Sequence, residues 1–290
     1  MGSVYFMGYL LIVLKTISNI SESVLIKKYN AKHSAGGLFF TGIISLFALG
    51  FFFVSDKDGF NSPAGMLPLA CIYGAIFCIT YFLTFVALAS GSFTLSMLIV
   101  SYSLIFPILY GIIFLHEQVS LFTYIGFALL MISLFFVRGN KDDKEKKISV
   151  KWIISVVLVT LGNGLLAVIQ KIQQLKFNNE CNNEFMIVGL AVSVTVLLTG
   201  GIIKDRKQLK EIIRYGIPYA GTAGVANGVN NLLTIIVNNL LPLSIVSPVS
   251  AGMKIVISFL SATLLFKEQY MKRQVLGVGI GVLALIFLNI

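Results

Sequence analysis

Long apolar runs alternate with short polar gaps along this chain, and the runs have the length that a lipid bilayer demands. About 20 apolar residues in a helix cross a hydrocarbon core of roughly 30 Å. That rule predicts spans over Val4–Ile26, Ser34–Val54, Met66–Leu88, Phe93–Leu115 and Val119–Val137, followed by a charged stretch from Arg138 to Lys151. A second set runs over Trp152–Leu175, Phe185–Ile203, Tyr215–Val237, Leu243–Phe266 and Val275–Ile290. The first run has no basic residue before Lys15 and no small-residue cleavage site, so it reads as a retained helix and not as a signal peptide.

The two sets of five repeat each other. Thr16, Asn19, Val24 and Lys27 match Thr160, Asn163, Val168 and Lys171 at a constant offset of 144. Further on, Glu117-Gln118 matches Glu268-Gln269 at an offset of 151, and Gly126, Leu134 and Phe136 match Gly277, Leu285 and Phe287. Chance matches between leucine-rich helices are common, so the polar identities carry the comparison. Each half holds an odd number of spans, so the second must enter the membrane from the opposite side. The expected fold is therefore an all-α integral membrane protein of ten transmembrane helices, built as two inverted five-helix repeats. Residues 1–137 form the first repeat, 138–151 a charged connector and 152–290 the second. In folds of this kind the ligand site lies at the repeat interface near the midplane.

Composition excludes a soluble reading. Hydrophobic residues make up 57% and charged residues 12%, with a mean hydropathy of +0.91. Soluble domains carry about 25% charge, because water must solvate their surface. The formal charge of +10 would otherwise suggest nucleic acid, but the basic residues lie almost wholly in the gaps between apolar runs. Their distribution is lopsided. The connectors after spans one, five, seven and nine hold 17 Lys and Arg, whereas the opposite side holds 3, namely Lys57, Lys171 and Lys176. Positive loops stay in the cytoplasm, so the count places both termini outside. Cys71, Cys78 and Cys181 show no metal-ligand spacing, and no cofactor is expected.

Ten spans in two halves, each with an acid where its fourth span turns into its fifth, resemble the EamA-type branch of the drug/metabolite transporter superfamily. Leu115-His116-Glu117-Gln118 through Gly126 and Phe266-Lys267-Glu268-Gln269 through Gly277 carry the likeness. The resemblance implies transport of small organic solutes, often export of amino acids or other metabolites, by alternating access. Proteins of that branch are commonly drawn with cytoplasmic termini, opposite to the charge count here. Glu117 and Glu268 each fit the first turn of a helix, where an acid complements the positive dipole end.

Candidate chemistry sits inside the spans. A charge at the bilayer centre costs about 2.5–3.5 kcal/mol on insertion scales, and Lys15, Glu22 and Lys254 accept that cost. Lys15, Asn19 and Glu22 share one helical face at i, i+4 and i+7. They line a solute pathway, or alternatively a Lys–Glu pair locks helices together. In span eight Asn227, Asn230, Asn231, Thr234 and Asn238 recur at helical spacing, and span six offers Thr160, Asn163 and Gln170. Amides in lipid serve equally as interhelical glue. Tyr81 and Tyr102, with Ser101, are weaker candidates in spans three and four. Gly277 and Gly281 form a small-xxx-small pair for close packing, and Pro107 can kink span four.

These features point to a multi-pass cell-membrane secondary transporter, exporter or exchanger, of a small polar or anionic metabolite such as an amino acid. Its expected partners are that small molecule and the lipid bilayer, without nucleic acid, in a monomer or homodimer. The competing classes are an intramembrane enzyme and a channel. The first needs convergent catalytic groups, yet His33 and His116 lie at span ends and no His-Glu-x-x-His helix occurs. The second needs repeated carbonyl loops or charged rings, which the sequence does not display.

Overall fold

Each apolar run closes its own backbone hydrogen bonds, as lipid requires of any segment that crosses it. The computed structural model describes residues 2–33, 36–55, 63, 65–117, 120–137, 149–267 and 272–287. All regular structure among them is helical. The first half contains Gly2–His33, Gly37–Ser55, Met66–Ser90, a fourth span in two pieces, and Leu121–Val137. The second contains Val150–Lys176, Asn182–Lys204, Ile217–Leu240, Leu243–Phe266 and Lys272–Phe287. Most of the charged connector, together with Lys57, Gln118, Glu268 and Gln269, lies outside the described residues.

Two spans depart from simple helices, each at a proline. The fourth consists of Phe93–Ser101 and Ile105–Phe114, joined by a 3-10 turn at Tyr102–Leu104. Pro107 has no amide proton to give to the carbonyl of Ser103, and its ring presses on that carbonyl. The kink expected of Pro107 therefore falls on the turn before it. The eighth span is entered through a π-helical turn at Ile212–Gly216, just ahead of Pro218. Helical structure here begins before Tyr215, because a short helical stretch at 206–211 leads into that turn. Among the described residues, seven helices are long and apolar enough to span a membrane on length and composition alone. The eighth is diluted by its asparagines, and the fifth and tenth are short.

The packing follows the inverted repeat. Span one packs on span eight as span six packs on span three, while spans two and seven face each other, as do five and ten. The backbone repeats as well: His116 and Lys267, equivalent by the 151-residue offset, both adopt φ of 52°. Thr16 and Thr160 each return their hydroxyl to the carbonyl four residues back. Lys27 donates to the carbonyls of Leu88 (2.8 Å) and Gly91 (2.6 Å), closing the end of span three. Its equivalent, Lys171, donates to Asn238 at 2.9 Å near the end of span eight. Two matched lysines thus cap the third helix of their own half.

Glu117 behaves differently from its sequence expectation. Instead of serving the dipole of the span that follows it, its carboxylate accepts backbone amides at the start of span nine, in the other half. The expected close packing of Gly277 and Gly281 is present: Ser133 of span five donates to the Gly277 carbonyl at 2.6 Å, and a Cβ at Gly281 would meet the same hydroxyl.

One end of the bundle is sealed. Tyr29, Phe40, Phe85, Phe93 and Ile212 are fully buried or nearly so and form one cluster beneath the basic connectors. The rings of Tyr29 and Phe40 stack at 4.0 Å. Outside them, His33 pairs with Glu211 at 2.8 Å, and Asp205 accepts the Phe39 amide at 2.9 Å. A cavity extends toward the opposite end, at the reversal between spans eight and nine.

Candidate functional site: a two-lysine cavity between the halves

The cavity has a volume of about 200 Å³ and receives walls from spans one, three, four, six, eight and nine. Its lining includes Lys15, Asn19 and Lys254 and extends to Asn238 and Leu243 at the reversal between spans eight and nine. The broken fourth span contributes Ser101 and Ser103, so the 3-10 turn forms part of the wall.

Among the residues singled out in the sequence, Lys15, Asn19, Tyr81 and Asn163 line the cavity. Gln170, Asn230, Asn231 and Lys254 line it too. The two lysines come from opposite halves and line one cavity. Among the described residues no carboxylate lies within ion-pairing distance of either. Asn19 and Asn163, equivalent by the repeat, face each other's half across the same space, as do Ser103 and Lys254, equivalent at 151.

Three candidates stand elsewhere. Glu22 is 3% exposed and sits behind the wall. Asn227 donates to both of its oxygens at 3.3 Å, and Tyr81 donates to one of them at 3.3 Å. The Asn227 amide also reaches the Tyr81 hydroxyl. Asn227 is fully buried and in turn accepts from Asn231 at 2.9 Å. A carboxylate in an apolar interior needs such donors, so Asn227 and Tyr81 hold Glu22 in place while Tyr81 and Asn231 present their other sides to the cavity. Lys254 feels the Glu22 charge from this position. Tyr102 is not among the cavity's lining residues and packs against the cluster that contains Leu98, Leu104 and Leu130. Its neighbours Ser101 and Ser103 line the cavity instead.

Other wall residues escaped the sequence reading. Tyr73, Thr16, Ser247 and Ser250 line the cavity. Isolated serines in apolar helices give no periodic signal, and their usual fate is a bond to their own helix. Ser250 lacks even that: its hydroxyl oxygen is buried without a hydrogen-bond partner.

The comparisons agree with this architecture. Another protein's crystal structure superposes over 99% of this chain and 98% of its own, with a TM-score of 0.65. At 11% identity, that likeness concerns the fold alone. No curated protein matches the sequence significantly. The family model described as the EamA-like transporter family matches residues 6–139, which hold all five spans of the first half. Over those residues the first half is similar to the EamA-like transporter family.

Proposed function

We propose that the protein is a secondary transporter of the cell membrane that carries a small polar or anionic metabolite by alternating access, as an exporter or exchanger. One observation carries the reading: Lys15 and Lys254, from opposite halves, line one cavity with no acid among its described wall residues. Two cations at membrane depth, with no acid among the described wall residues, attract an anionic group from solution. Asn163, Gln170 and Asn230 supply amides that can both donate to and accept from a polar solute. Amino acids belong to the class considered.

The arrangement of closures supports alternating access. Aromatic packing seals the end beneath the basic connectors, while the cavity reaches toward the end of the termini. The two halves are inverted copies, so an exchange of their conformations would open the sealed end and close the other. With the basic connectors in the cytoplasm, the form described here faces outward. A monomer has walls enough for the cavity, and a homodimer is compatible with it.

The test is solute counterflow in proteoliposomes with wild type, Lys15→Ala and Lys254→Ala. The reading expects solute-specific exchange that falls in both variants. Normal exchange in both would show that the cavity is not the pathway.

A further inference from the structure

We propose that the carried solute is a small dianion without an ammonium group, with its two negative charges on a short skeleton, as in a dicarboxylate or a phosphate monoester. This rests on the transporter reading above and narrows its substrate class. The argument begins with donors and acceptors. Each lysine ammonium has three protons to donate and no acceptor, and neither makes a hydrogen bond or ion pair with a described residue that would use them. Both line the same cavity of about 200 Å³, where like charges repel. One carboxylate can face one ammonium; two negative charges satisfy both and remove their repulsion.

Glu22 does not alter this. It tempers Lys254 from behind the wall, but Asn227 and Tyr81 occupy its oxygens and it takes no part in the lining. A solute bearing an ammonium, such as an α-amino acid, would therefore find two like charges and no acid among the described wall residues. Such juxtaposition is strongly unfavourable in a poorly hydrated site. A third group points to a ligand independently: the Ser250 hydroxyl lies one helical turn before Lys254, buried and unpartnered, and can donate to an oxygen that Lys254 holds. Size sets the last limit. The cavity, at about 200 Å³, is smaller than the roughly 300–1,000 Å³ that suits drug-sized ligands.

The experiment is a thermal-shift titration of the purified full chain in detergent, at matched ionic strength. The probes are succinate, glycerol 3-phosphate, alanine and glycerol. The proposal expects succinate or glycerol 3-phosphate to raise the unfolding temperature, and which of them does so separates the dicarboxylate from the phosphate source. Alanine and glycerol should have no comparable effect. In Lys15→Met and Lys254→Met, the half-saturating concentration of the active dianion should rise roughly tenfold or more. Ser250→Ala should weaken it less. Stabilisation by alanine or glycerol equal to that by the dianions overturns the proposal, as does no stabilisation by either dianion. A dianion effect unchanged in both lysine variants overturns it too. Should a lysine variant fail to run as a single species on size exclusion, the wild-type selectivity decides alone. Alanine binding that is lost in Asn163→Leu would end the dianion class while keeping the cavity as the binding site; the transporter reading itself falls only on the counterflow result.

Discussion

Glu117, in the first half, accepts a hydrogen bond from the backbone amide of Ser244, in the second half, at 2.9 Å. Its other oxygen accepts from Leu243 at 3.1 Å. The first amides of a helix have no partner within it, so a carboxylate from the four–five corner completes span nine. This contact joins the two repeats at the end where the cavity lies, beside the lysine cap that Lys171 places on Asn238.

Removing that cap should be measurable. Glu117→Ala is expected to destabilise the protein by about 1–2 kcal/mol, in line with the loss of a helix N-cap. Glu117→Gln, which keeps an acceptor but not the charge, should fall between. Thermal unfolding in detergent checks the order, and an alanine variant as stable as wild type would deny the cap any energetic role.

The matched lysines offer a second comparison. Lys27→Met withdraws a donor from the carbonyls of Leu88 and Gly91, whereas Lys171→Met withdraws one from Asn238. Leaving a buried carbonyl unsatisfied costs about 1–3 kcal/mol. The Lys27 variant should therefore be the less stable of the two. Equal stability of both variants with wild type would show that water replaces the ammonium without loss.

The Glu22 network makes a prediction of coupling. Asn227→Leu deprives a buried carboxylate of its principal amide donor and should cost about 1.5–3 kcal/mol, the range for hydrogen bonds to charged groups. Adding Glu22→Gln should recover part of that loss, because the uncompensated charge is gone. A double-mutant cycle measures the coupling; strict additivity would contradict the geometry.

Spans three and seven approach so closely at Gly74 that an added Cβ would collide with the backbone carbonyl of Gly189 and with Val192. Backbone cannot step aside as a flexible side chain does. Gly74→Ala is expected to destabilise by about 1–3 kcal/mol, as overpacking does, whereas Gly50→Ala, with open space around it, should be neutral or nearly so. Unfolding of the pair side by side checks the contrast.

The sequence made the helices legible because lipid leaves the backbone so few options: apolar length located the spans, although the first helix runs on to His33, seven residues past the apolar run. The repeat was legible through polar matches, and Asn19/Asn163 and Lys27/Lys171 take up equivalent places in the structure. Helical spacing brought Lys15 and Asn19 to the cavity correctly but carried Glu22 onto the same stripe, although it lies behind Tyr81. Periodicity gives the face of a helix, not the depth of what packs on it. Ser103 and Ser250 were out of reach for a related reason: a serine's role depends on whether its own helix satisfies it, and that is settled only by packing.

The proposed route of the solute is the cavity between the halves, lined by Lys15 and Lys254. Labelling by a membrane-impermeant thiol reagent tests it most directly, with Ser103→Cys and Ser250→Cys placed one at a time in a chain whose Cys71, Cys78 and Cys181 are replaced. Both cysteines should react from the face that carries the chain termini, and a transported solute should slow the reaction. Failure of both to react from either face, in protein that still transports, would contradict it.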